Sequence, residues 1–157
     1  MTASPSWHFD AVRLHCRLLG TGKSLSFVRQ QMQIADAQKD DISLAAIGVE
    51  VCNLLWKGET KVLASRFGYA LAFDRDRAAA LAEDLAASLV ELGAAKLSSG
   101  CTTTPVVKYF QPNSTGLLAA VECLVGTDNG KSLLVELVVT SDGKETHVNL
   151  EQLSSLV

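Results

Sequence analysis

The chain has 157 residues, with 14 Lys and Arg against 17 Asp and Glu, a formal charge of −3 and a pI of about 5.6. Nucleic-acid binding through bulk positive charge is excluded. With 48% apolar residues, 20% charged residues and 3 Pro, the chain can bury a core, and its length predicts one compact domain with room for an appended half-unit.

Met1 to Asp10 has no basic start followed by an apolar stretch, so no secretory signal is expected there. No apolar run approaches the roughly 20 residues that cross a bilayer. The expected location is cytoplasmic, with no membrane partner. Val12, Leu14, Cys16 and Leu18 alternate on one face, and a turn at Gly20 to Lys23 leads into Ser24 to Ile34, which together read as a β-hairpin. Beyond the polar stretch Asp36 to Asp41, Ile42 to Leu55 and Val62 to Phe73 read as two more strands, separated by a turn at Gly58.

From Asp74 the composition changes. Arg75 to Lys96 is rich in Ala, Leu and Glu, lacks Pro and is free of Gly until Gly93, which predicts the one long helix. Leu81, Leu85, Leu89 and Leu92 form an apolar stripe that requires a sheet beneath it, and Asp74 or Asp76 is placed to cap the first turn. Strands return at Thr103 to Phe110, Leu117 to Val125, Leu133 to Thr140 and Thr146 to Leu150. Asp128-Asn129-Gly130 and Asp142-Gly143 supply the residues that tight hairpin turns demand. The fold class read from this pattern is α+β, a mostly antiparallel β-sheet with one long helix and extra N-terminal strands. The division expected is an N-terminal β segment, 1–61, and a helix-plus-sheet unit, 62–157.

His15 to Asp36 and Glu122 to Asp142 share a Cys in the entering strand, a Gly-Thr, a Gly-Lys-Ser at the turn exit and an apolar strand ending at Asp. An internal repeat and two hairpins obeying the same turn chemistry explain this equally well. Neither Gly-Lys-Ser is a P-loop. The glycine needed five residues earlier is Arg17 in one copy and Val125 in the other, and a strand rather than a helix follows each.

The cysteines, Cys16, Cys52, Cys101 and Cys123, are widely spaced with no C-x-x-C pair. They read as reduced thiols, so no metal site and no cofactor is expected. His8, His15 and His147 are scattered and read as ordinary surface or half-buried residues. Trp7 and Trp56 read as core residues, with interface anchoring as the alternative role.

From Ala79 to Leu153 the ordered cues are Tyr109-Phe110-Gln111-Pro112, Thr115-Gly116, Gly130-Lys131-Ser132-Leu133, Val135 to Val139 and Asp142-Gly143-Lys144. In this order they resemble the body of a hot-dog-fold domain of the acyl-CoA thioesterase superfamily. That resemblance implies a sheet wrapped around the long helix, an acyl-CoA or acyl-carrier ligand, and a homo-oligomer or protein partner. It also implies Asp84 as the catalytic carboxylate, with Arg77 and Ser88 as substrate-binding residues. Asp84 lies about 60° from Leu81 on a helical wheel, on the flank of the stripe and on the edge shared with Ser88 and Glu91. The turn opening the helix, Arg75-Asp76-Arg77-Ala78-Ala79, departs from the family's Gly-rich turn, and this puts an oxyanion hole in doubt. The alternative is a non-enzymatic protein-interaction module of pleckstrin-homology-like or other α+β type.

Overall fold

Asp40 precedes an apolar series at Leu44, Ile47, Gly48, Val51, Cys52 and Leu55, a spacing of three and four that places all six on one helical face. In the computed structural model, which describes residues 32–156, this segment is helix α1 (Asp41–Trp56), and those six residues are its buried ones. Asp40 caps it by accepting hydrogen bonds from the Ser43 amide at 3.0 Å and the Ser43 hydroxyl at 2.7 Å. The strand expected over Ile42 to Leu55 is therefore a helix. Its β-branched residues are partly outward-facing, Ile42 at 83% and Val49 at 38% exposure, so they do not mark a sheet face.

The strand expected over Val62 to Phe73 is also replaced, by helix α2 (Thr60–Phe67) and a 3-10 turn at Ala70–Ala72. Leu63, Ala64 and Phe67, again at helical spacing, are its buried residues. The long helix forms as α3 (Arg77–Leu92), shorter at both ends than the composition indicated. Asp76 caps it through the Ala79 amide at 2.9 Å, and Gly93 ends it in the left-handed conformation at φ 68°.

The strands are β1 (Met32–Ile34), β2 (Leu97–Cys101), β3 (Val106–Tyr109), β4 (Leu117–Thr127), β5 (Ser132–Ser141) and β6 (Thr146–Ser155). All pairings are antiparallel, in the order β1-β6-β5-β4-β2, and β3 lies beside β4 on the same side as β2. The Asp128-Asn129-Gly130 and Asp142-Gly143 hairpins form where expected, with both glycines at positive φ. The N-terminal hairpin, the first Gly-Lys-Ser, Trp7, His8, His15 and Cys16 lie outside the described residues, apart from Met32–Ile34 at the end of the second expected strand.

Three register shifts interrupt the described sheet. Glu136 pairs with Gln152 while Leu137 pairs with Leu150, so Glu151 is an extra residue in β6. This is what allows Leu150 and Leu153, three residues apart, both to join the core despite the two-residue period of a strand. The other two separate Leu117 from Ala119 in β4 and Leu97 from Cys101 in β2.

The concave face presents Ala119, Val121, Cys123 and Val125 of β4, Leu133, Val135, Leu137 and Val139 of β5, and Leu150 of β6. Against it pack Leu44, Val51 and Leu55 of α1, Leu63 and Phe67 of α2, and Leu81 and Leu92 of α3. Each buried Val, Leu or Phe contributes about 1.5–3 kcal/mol relative to exposure. The expectation of a sheet around one helix is corrected: the α+β class and the antiparallel sheet stand, but three helices share the curled face. A single 16-residue helix with one apolar stripe would not cover a sheet whose strands run to 11 residues. Among the described residues no helix is long and apolar enough to cross a membrane.

Candidate functional site

Asp84 sits on the second turn of α3, between Tyr69 and Arg75, which the intervening loop brings back over the helix. The Tyr69 hydroxyl donates to Asp84 Oδ2 at 2.6 Å. The Arg75 guanidinium donates through Nη1 to Oδ1 at 3.2 Å and through Nη2 to Oδ2 at 3.3 Å, a two-pronged ion pair. Arg75 also donates to Glu83 Oε2 at 3.1 Å and to the carbonyl of Leu71 at 2.8 Å. The hydrogen bond with Asp84, and a weaker one with Glu83, hold the guanidinium even more firmly protonated than usual. Three of the carboxylate's roughly four acceptor positions are thus occupied.

Arg75 of this cluster lines an open groove of about 510 Å³ between α2 and the start of α3. Its lining includes Lys61, Ser65, Phe73, Arg75, Asp76 and Arg77, three cations against one carboxylate. Phe73 is 71% exposed, and its backbone is held at φ 52°, among the described residues the only non-glycine with positive φ. That conformation costs on the order of 1–3 kcal/mol and persists because the loop between Tyr69 and Asp76 is tied down by Arg75. Arg77 therefore lies in the groove, Asp84 stands behind it through Arg75, and Ser88 is buried one turn beyond Asp84, outside the groove lining. The amide of Ala79 in the first turn of α3 is already taken by the Asp76 cap.

A second cluster lies at the other end of the core. Cys101 ends β2 opposite Val125, and Cys123 stands two residues along β4 from Val125, so the antiparallel register puts both side chains on one face. Cys52 of α1 comes down onto them, and the three sulfurs lie within 4.8 Å of one another. Cys52 and Cys123 are fully buried and Cys101 is half-buried. The close approach of α1 to the sheet depends on two glycines. A Cβ at Gly48 would lie 2.7 Å from Cys123 Sγ, and one at Gly100 would lie 2.3 Å from Asn53 Oδ1. Hydrogen bonds from the other two thiols, Cys123 first, lower the pKa of Cys101, and the same interaction with Cys101 raises those of Cys52 and Cys123.

Tyr69 and Phe73 were not singled out from the sequence because both fell in the segment Val62 to Phe73 read as a strand, Lys61 fell just before it, and Arg75 was read only as the first residue of the helix. The three cysteines carried no signal in their spacing. They come from a helix, an edge strand and a central strand, separated by 49 and 22 positions in the chain. Comparison of the chain with protein-family models, with curated proteins and with solved structures yields no match in any of the three.

Proposed function

We propose that the chain is a binding module for an anionic acyl thioester of the acyl-CoA type, taken up in the groove between α2 and α3 without being hydrolysed. The observation that carries this reading is the convergence of Lys61, Arg75 and Arg77 beside an exposed Phe73 at the positive end of α3. Phosphate groups suit the cations, and an acyl or pantetheine segment suits the aromatic ring. The curled antiparallel sheet against helices is compatible in general shape with a hot-dog-like module. Binding is favoured over hydrolysis because Asp84 already accepts hydrogen bonds from Tyr69 and Arg75, and because Asp76 occupies the amide that would polarise a carbonyl. Titration calorimetry with a short acyl-CoA, with CoA and with inorganic phosphate tests this. Saturable acyl-CoA binding, weakened about tenfold by Lys61→Ala with Arg77→Ala, is expected. Absence of binding, or indifference to that double variant, removes the reading. Thioester hydrolysis lost in Asp84→Asn would make Asp84 catalytic instead.

The interaction-module reading also has an observation in its favour. Ile42, Val49 and Trp56 recur every seven residues along the outer face of α1, at 83%, 38% and 47% exposure. A stripe at that spacing matches the seam of a helix pair, and a second copy of the chain running antiparallel would bury it. Sedimentation showing only monomer at high concentration would remove this reading. A dimer dispersed by Ile42→Glu would support it.

A further inference from the structure

We propose that Cys52, Cys101 and Cys123 form a three-thiolate site for a zinc ion, with the fourth coordination position open on the side of Cys101.

The geometry is already close to that of a filled site. Zinc–sulfur bonds of about 2.3 Å place sulfurs around one ion about 4 Å apart, and the three sulfurs here lie within 4.8 Å of one another. The three residues come from α1, β2 and β4, elements anchored by the main core rather than by a loop. Gly48 and Gly100 remove side chains from the contact between α1 and the strands, and a Cβ at Gly48 would displace the Cys123 sulfur.

The donor set selects the ion. Sulfur-only coordination favours thiophilic ions over magnesium, calcium or manganese, which take oxygen. Around the cluster the core supplies Val51, Val125 and Val135, neighbours in sequence or register that cannot offset charge. Three thiolates leave one net negative charge on a divalent ion and two on monovalent copper, and the smaller residual charge is the cheaper one to bury. Cys101 is the half-buried member, on a strand that borders the sheet, so water reaches the fourth position from that side. As each sulfur–zinc bond forms, any proton remaining on that thiol passes to the buffer, and no electron is transferred.

The test uses the full chain, reduced with a phosphine and stripped of metal, titrated with Zn²⁺ against a chromophoric chelator and, separately, with Co²⁺. One equivalent of Zn²⁺, a sulfur-to-cobalt charge-transfer band, and protection of the half-buried Cys101 thiol from alkylation that a chelator reverses are expected. Cys16→Ser should leave all three readouts intact. Cys101→Ala, checked by circular dichroism for an unchanged fold, should weaken zinc binding by at least about 100-fold. The proposal is overturned by the absence of zinc binding in the reduced protein or by binding of Cu⁺ in its place. It is equally overturned by loss of binding in Cys16→Ser, unchanged affinity in folded Cys101→Ala, or thiol protection that a reductant rather than a chelator reverses.

Discussion

The hydroxyl of fully buried Tyr69 donates at 2.6 Å to the carboxylate of Asp84, joining the loop after α2 to the second turn of α3. Asp84 in turn receives both arms of Arg75, which also donates to Glu83 and to the carbonyls of Leu71 and Ala72. The cationic groove is therefore built on a loop fastened through two neighbouring carboxylates of α3, Asp84 and Glu83.

Tyr69→Phe keeps the ring and removes the donor. A hydrogen bond to a charged acceptor contributes about 1.5–3 kcal/mol, so a stability loss of that size is expected in urea unfolding. Asp84→Asn, combined with Tyr69→Phe in a double-mutant cycle, should show strong coupling, since the two residues share one bond. Additive losses would show that the pair acts independently.

Gly116 has φ 75°, and a Cβ there would lie 2.1 Å from the carbonyl oxygen of Ser141. The obstacle is backbone in the neighbouring strand and cannot rotate aside. Gly116→Ala should cost at least about 2 kcal/mol, or prevent folding. Gly143→Ala, at φ 92° but with no atom within 4 Å of the added carbon, should cost less. Thermal unfolding of the two variants side by side measures the difference.

Leu81 is fully buried on α3, whereas Val90 on the same helix is 79% exposed. Leu81→Ala should destabilise by about 2–5 kcal/mol and Val90→Ala by less than about 0.5 kcal/mol. Equal effects would contradict the assignment of the core face.

The cap of α1 carries a pH dependence. Hydrogen bonds from the Ser43 side chain and amide lower the pKa of Asp40 below its ordinary value. A carboxyl with a depressed folded pKa stabilises the fold above its unfolded pKa of about 3.9, and this contribution is lost as pH falls through the folded value. Asp40→Asn should therefore unfold at a lower temperature than the parent at pH 7, with the gap narrowing toward pH 3. A gap independent of pH would exclude the ionised cap as its source.

Much of the C-terminal half was legible along the chain. Leu117 to Thr140 is two apolar runs around one turn, and Asp128-Asn129-Gly130 marks that turn as a tight hairpin, so local chemistry and tertiary fold agree there. The α3 stripe was likewise local. Ile42 to Leu55 was misread because Ile and Val favour strands on average, while the three-and-four spacing of its buried residues and the Asp40 cap are the stronger physical signals.

The charge balance, the α+β class, the long helix and the late hairpins follow from the sequence alone, because each depends on residues within a few positions of one another. Tertiary structure alone decided that three helices share the sheet, that Tyr69 and Arg75 reach Asp84, and that Cys52, Cys101 and Cys123 meet. Those relationships depend on strand register and on how closely α1 approaches β4. The approach is set by the missing side chain of Gly48, a distance that no spacing along the chain encodes.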